Sequence, residues 1–325
     1  MSWLRGFGFG LFFIANFVFC DWVLAAVGSE IQLPGSVPQE IQNQKGIKKL
    51  CQEIKVFYQK QKWGKLDHCE DIPFRVFGWS VEGRPLVSFE VGPLQSAKKT
   101  LIQCAIHGDE LPALPMCLRL IDEIRSGSKP MPKEMRIFIQ PLLNPDGLLA
   151  RVPTRTNSRG VDLNRNFPTL DWKDKAHSAW SLKENKNPRK FPGVSPLTEP
   201  ETQAIVSFIE TEKPQKIISI HTPLGFLDLD TKGKDANPDK KRRAQFLAIN
   251  MSKNSGNFKY KSFGFYPGSL GNYAGNERDI PVYTLELPPG TTTKKTIDRH
   301  WEKFRIALWR SVDFDLETGQ FLDED

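Results

Sequence analysis

The chain has 325 residues, 39% hydrophobic and 26% charged, a balance that excludes both a disordered chain and a multispanning membrane protein. With 45 basic and 38 acidic residues the formal charge is +7, which favours anionic partners through long-range attraction. No basic run is interleaved with aromatic residues in the manner of a nucleic-acid platform, so nucleic acid is not an expected partner.

Residues 1–26 read as a signal peptide. Arg5 is the only early charge, and Phe7, Phe9, Leu11, Phe12, Phe13 and Ile14 form the apolar run behind it. Asn16 and Asp21 interrupt that run, which argues against a stable membrane span in the mature form, because a span needs about 20 apolar residues. Val23, Ala25 and Ala26 suit cleavage near residue 25 or 26. A lipid anchor at Cys20 is the weaker reading, since bulky Phe19 stands where that processing wants a small residue. The expectation is export across the inner membrane, with the periplasm as destination. Cys51, Cys69, Cys104 and Cys117 then remain, an even number that permits disulfides without fixing their pairing. For Cys104 and Cys117, in apolar surroundings, buried free thiols are equally consistent.

Residues 27–45, with Gly28, Pro34, Gly35 and Pro38, have the makeup of a linker, which places the folded domain at 46–315 and an acidic tail at 316–325. Within the domain, short apolar runs alternate with amphipathic stretches, the pattern of an α/β layered fold. Residues 101–106 read as a buried strand. The helix behind it repeats Leu111, Leu114, Leu118 and Ile121 at spacings of three and four, with Pro112 and Pro115 in its first turn. Further strands are expected at 136–140, 216–220 and 281–287. Thr198 and Glu201 predict a capping box ahead of Ile205, Phe208 and Ile209, and a final helix aligns Ile297, Trp301, Phe304 and Leu308 as a core stripe. His107, His221 and Glu286 each fall at or just past a predicted strand end, where open α/β sheets carry their ligand crevice.

His107-Gly-Asp-Glu110 sets an imidazole and a carboxylate three residues apart where a strand turns toward a helix. That pairing alone is common and needs a third ligand from elsewhere. Ser219-Ile-His221 supplies a histidine at the end of an apolar strand, where an unpaired imidazole is costly to bury. Two His and one Glu leave a fourth position for water, the composition of a catalytic rather than a structural zinc site.

With Asn144-Pro-Asp-Gly147, Gly160-Val-Asp-Leu-Asn-Arg-Asn-Phe-Pro168, Ser195-Pro-Leu-Thr-Glu-Pro-Glu-Thr202 and Thr284-Leu-Glu-Leu-Pro288, these motifs resemble, in order, those of the M14 zinc carboxypeptidases over residues 75–312. Within that family the stretch from His221 and the ending Leu-Glu-Leu-Pro-Pro are most similar to bacterial murein peptide amidases, the γ-D-glutamyl-meso-diaminopimelate peptidases. The resemblance implies a mixed, mostly parallel sheet of about eight strands with helices on both faces. It implies one zinc ion per chain on His107, Glu110 and His221, with Glu286 as general base, Arg155 beside the metal as oxyanion partner, and Asp162 orienting His107. Asn164 and Arg165 correspond to the pair that grips the substrate's terminal carboxylate, which makes the reaction that of an exopeptidase.

Tyr266 is the first candidate for the tyrosine that closes over the substrate, with Tyr273 as second. The expected partner is an anionic murein peptide. The other enzyme reading is a carboxypeptidase for ordinary peptide C-termini with a free carboxylate, and a reading of a different class is a murein-binding module without catalysis. The basic stretch with Lys173, Lys175, Lys183, Lys186, Arg189 and Lys190 is a candidate rim for an acidic stem peptide. Asp228, Asp230 and Asp235 are candidates for the ammonium of diaminopimelate, with no choice among them at this level.

Overall fold

The structure is a computed structural model that describes residues 39–233, 237–255 and 259–322. The expected signal peptide, most of the expected linker and Asp235 lie outside the described residues. The first described element is helix α1 (Gln39–Lys60), so residues 39–45 are helical rather than linker. The prolines stop at Pro38, and the polar residues that follow extend a helix that accommodates Gly46 and is anchored further on by Leu50, Ile54, Phe57 and Tyr58.

Eight strands form one sheet: β1 (Phe74–Trp79), β2 (Pro85–Val91), β3 (Lys98–Cys104), β4 (Met135–Gln140), β5 (Lys216–His221), β6 (Phe226–Asp230), β7 (Lys259–Lys261) and β8 (Val282–Glu286). Their order is β1-β2-β4-β3-β5-β8-β6-β7. The central β4-β3-β5-β8 block is parallel, and the flanking β1-β2, β2-β4 and β6-β8 pairs are antiparallel. Each expected strand is present with its ends moved by a few residues, as strand ends usually are.

The parallel strands are apolar on both faces, and alternation divides them between two cores. Ile102, Ile139, Ile218 and Tyr283 join one core with α1, α2 (Ala113–Ser126), α6 (Pro238–Asn254) and α7 (Lys294–Asp313). Leu101, Phe138, Ile217 and Val282 face the other, under α5 (Pro200–Glu212) and a π-helical turn at Gly271–Asn276. Two short helices, α3 (Pro145–Leu148) and α4 (Trp172–Leu182), sit in the connections between these layers.

Three expectations need correction or completion. The capping box does not form: Glu199 precedes α5 without a side-chain cap, and Thr198 Oγ1 bonds Ser195 O (3.2 Å) while accepting from Asn166 Nδ2 (3.1 Å). The cysteines are paired, Cys51 with Cys69 and Cys104 with Cys117, so the thiol alternative falls. Residues 316–322 are not a solvated tail, because β9 (Phe314–Asp315) pairs with β10 (Gln320–Phe321) and buries Leu316 completely.

That C-terminal hairpin is fastened to the N-terminal end of β5 by Lys216, which is fully buried and donates from Nζ to Phe314 O at 2.5 Å. Burial pushes the amine down to about 7, against the partial opposition of Asp315 and Asp313. Between that value and the ordinary 10.5 the unfolded chain binds the extra proton, so this residue's contribution to stability rises with pH across the window. Measured by urea unfolding, the stability of the native protein relative to Lys216→Met should therefore increase from pH 7 towards pH 10. A difference that stays flat over that range would show that the amine is charged when folded.

Candidate active site

Strands β3, β5 and β8 are adjacent and parallel, so their C-terminal ends open on one edge of the sheet. β5 ends on His221 and β8 on Glu286, and these two are register partners. Beyond β3 the ladder continues for two more bonds, from Leu143 N to Cys104 O (3.1 Å) and from Asn144 N to Ala105 O (3.0 Å). The chain then turns tightly, with Glu110 N donating to His107 O at 3.2 Å. Glycine is required inside that turn, because a Cβ on Gly108 would lie 2.2 Å from the carbonyl carbon of Gly147. The Cys104–Cys117 disulfide ties the end of β3 to α2 across the same turn.

His107, Glu110 and His221 are brought together and buried, with relative exposures of 2%, 8% and 4%. Their candidate ligand atoms all lie within 4.8 Å of one another. Glu110 sits between the rings, Oε1 2.7 Å from His107 Nδ1 and Oε2 2.9 Å from His221 Nδ1. The other ring nitrogens face outward, His107 Nε2 to Asp162 Oδ1 at 3.3 Å and His221 Nε2 to Ser219 Oγ at 2.9 Å. Both imidazoles thus present Nδ1 to one point, His221 with Nε2 held by Ser219 and His107 with Nε2 beside the Asp162 carboxylate, the arrangement that orients histidines toward a metal. Burial works against ionisation of Glu110, yet the two imidazoles outweigh it and hold the carboxyl well below its usual range. The donor set fits zinc: two imidazole nitrogens and a carboxylate oxygen on a buried, partly anionic point, with a coordination position to spare.

Arg155 lies against this cluster. Its Nε donates to Asp162 Oδ2 at 2.8 Å and its Nη1 to Glu110 Oε1 at 3.3 Å. Asp162 is fully buried; the cost of burial is overcome by Arg155 and His107, which keep it ionised far below the ordinary carboxylate range. Arg151 and Arg159, the neighbouring arginines, are exposed. Glu286 is 7% exposed and accepts from Leu224 N at 3.2 Å. Burial raises its carboxyl above 4.5, an effect that His221 partly offsets.

Asn164 and Glu286 line one cavity of ≈ 240 Å³ together with His221 and Tyr266. Arg165 stacks on Tyr266, with the guanidinium carbon 3.9 Å from the ring centroid, and donates from Nη1 to Asn164 O at 2.7 Å. Asn164 Oδ1 fixes the loop after Tyr266 by accepting from Leu270 N at 2.8 Å. Tyr273 is fully buried away from this cavity, its hydroxyl bonded to Glu210 Oε1 at 2.8 Å, so only Tyr266 is placed beside the candidate site. In the basic stretch, Arg189 pairs with Asp109, within the turn that carries His107 and Glu110. Lys175 and Lys183 line an adjoining hollow that shares Phe265 with the main cavity.

Two contributors were missed in the sequence. Ser219 holds the outer nitrogen of His221, and the period-two spacing of Ser219 and His221 on β5 was a readable sign that they share a face. Asn144 accepts from Gly147 N (2.8 Å) and donates to Arg155 O (3.2 Å), so the Asn-Pro-Asp-Gly motif positions the arginine segment.

The zinc carboxypeptidase family model matches residues 71–307. The chain belongs to that family. Members of this M14 family are zinc metallopeptidases, and the chain is accordingly a peptide-bond hydrolase. Among curated relatives, murein peptide amidase A of Vibrio campbellii is 30% identical over 243 residues, which cover 73% of this chain and 88% of that protein. Among solved structures, murein-tripeptide amidase from Escherichia coli O157 superposes with a TM-score of 0.52 at 23% identity, covering 73% of this chain and 91% of that one. Thrombin-activatable fibrinolysis inhibitor gives 0.64 at 20% identity, covering 82% and 74%, a likeness of fold.

The Cys104–Cys117 link encloses a short loop that contains the first two candidate ligands of this zinc carboxypeptidase. Replacing both cysteines by alanine should lower stability by about 2–4 kcal/mol in denaturant unfolding. Zinc should also dissociate faster into a chelator than from the native protein; unchanged dissociation would free the metal turn from dependence on the bridge.

Proposed function

We propose that this zinc carboxypeptidase is an exopeptidase that hydrolyses the γ-D-glutamyl to meso-diaminopimelate amide bond of murein peptides. The observation that carries the exopeptidase reading is convergence: Asn164, Glu286 and His221 line a single cavity, and Arg165 stacks on Tyr266 of the same lining. The murein substrate is supported by the relatives named above, whose alignments cover most of both chains.

His107, Glu110 and His221 would hold one zinc ion. When bound, it supplies Lewis acidity and a water acidified from a pKa of 15.7 towards about 7. Glu286, raised by burial and placed at the strand end beside His221, takes the proton of the attacking water and delivers it to the leaving amine. Arg155 offers its guanidinium to the oxygen that becomes negative at the carbonyl. Asp162 serves two tasks, since it holds His107 in orientation and keeps Arg155 at the cluster. Asn164 and Arg165 bind the free carboxylate of the terminal residue, where a planar guanidinium matches a planar anion. Tyr266 closes that end of the cavity, its ring already stacked on Arg165.

The same reading places the protein outside the inner membrane after loss of residues 1–26, in the periplasm. The two disulfides support an oxidising compartment. Among the described residues no helix is long and apolar enough to cross a membrane.

Digestion of L-Ala-γ-D-Glu-meso-diaminopimelate by the zinc-loaded protein should release diaminopimelate, and a chelator should stop it. Release of C-terminal residues from ordinary peptides alone would assign the chain to general carboxypeptidase activity, and no cleavage of either class would favour a binding module. Glu286→Gln should retain zinc and lose turnover by about 10²–10⁴-fold. Full activity in that variant would remove Glu286 from the proton transfers.

A further inference from the structure

The segment that follows α4 brings to the metal turn a cation that the proton transfers and the carboxylate grip leave unused. Trp180 Nε1 clamps this segment back onto α4 by donating to Asn187 O at 2.7 Å. Asn187 in turn caps a single helical turn (Pro188–Lys190), its side chain accepting from Arg189 N at 3.0 Å. Just beyond, Phe191 O accepts from Asp162 N at 2.8 Å, so the backbone is held on both sides of Arg189.

The Arg189 side chain reaches the turn between His107 and Glu110, where Nη1 donates to Asp109 Oδ2. That bond occupies one edge of the guanidinium. Nε and Nη2, the fork that pairs with a carboxylate, meet no acceptor among the described residues, and the side chain is 59% exposed. The other cations nearby are engaged: Arg155 with Asp162 and Glu110, Arg165 with the Tyr266 ring and Asn164 O, and Lys190 with Glu184. Asn164, His221, Tyr266 and Glu286 line the main cavity, whereas His107, Asp109 and Arg189 do not. With the terminal residue in that cavity, the acyl half of a substrate leaves over the turn that carries His107, Asp109 and Glu110. A glutamyl group joined through its side chain keeps a free α-carboxylate there, separated from the reacting carbonyl only by its methylenes and α carbon. An α-linked residue has no such anion, because its α-carboxyl is the reacting group.

We propose that Arg189 is a specificity-determining residue that pairs, through its free fork, with the α-carboxylate of a γ-linked glutamyl group on the acyl side of the scissile bond, while Asp109 positions it. The inference rests on the γ-D-glutamyl reading given above. A planar guanidinium suits a planar carboxylate, and a cation fixed at its far edge loses little freedom on binding.

Kinetics of the zinc-loaded protein on L-Ala-γ-D-Glu-meso-diaminopimelate, and on the same peptide with the glutamyl α-carboxylate converted to a carboxamide, test the proposal. The native protein should favour the free acid by about ten- to hundredfold in kcat/KM, expressed mainly in KM. Arg189→Gln should remove that preference by slowing cleavage of the acid while leaving the carboxamide peptide as it was. An equal fall with both peptides would show that Arg189 only holds the metal turn, and would overturn the inference. Equal use of acid and carboxamide by the native protein would overturn it too, with the γ-D-glutamyl reading left standing. Cleavage of neither peptide, beside active release of ordinary C-terminal residues, would end both.

Discussion

Three parallel strands that end at the same level set the terms for everything at the candidate site. A parallel pair cannot be joined by a tight turn, so β3, β5 and β8 come from distant parts of the chain, and their shared edge gathers residues separated by most of the domain. His221 and Glu286 are neighbours because the β5–β8 register makes them so, and the turn after β3 reaches the same point only because Gly108 lets it pass Gly147. The ligand set is a property of sheet alignment. A shift of one residue in either register would send these side chains to the opposite face.

Around that edge, much of the recognisable sequence serves support rather than contact. Asp146 is almost fully buried and accepts from Ser80 Oγ at 2.7 Å, Glu82 N at 2.9 Å and Arg84 Nη1 at 2.8 Å. Asn157 donates to Glu199 Oε2 at 2.7 Å and Glu201 Oε2 at 3.2 Å, while its own oxygen accepts from the amides of Arg159 and Val161. These bonds shape the irregular stretch that presents Arg155 and Asp162. A loop with no ladder of its own must satisfy its polar groups through side chains, and the buried acids meet that need.

This division explains what could be read from the sequence alone. The His107/Glu110 pair and His221 stood out because they sit beside strongly apolar strand runs, whereas the role of Glu286 came from the resemblance, since Leu285 and Leu287 mark a buried strand end without deciding what the carboxylate does. The role of Glu201 was not legible: its spacing from Thr198 matches a helix cap, but the competing bonds to Asn157 and Val81 claim its carboxylate. The extent of α1 was hidden by polar residues that carry no periodic signal, and the terminal hairpin by an acidic composition that masks Leu316 and Phe321. The choice among Asp228, Asp230 and Asp235 had no local signature, since exposure to a cavity depends on neighbouring strands. The structure sets the first two in that lining, and Asp235 falls outside the described residues.

Lys216 gives the chain an order of assembly. It opens β5, the strand that ends on His221, and its amine is sealed from water only when Phe314 offers a carbonyl from nearly the last described residues. Before that segment docks, β5 can seat only by leaving the Lys216 amine buried without this partner, or by keeping its first residue in water. The strand that carries the final candidate ligand is therefore completed by a segment 98 residues further along, so a full metal pocket depends on the docking of that segment.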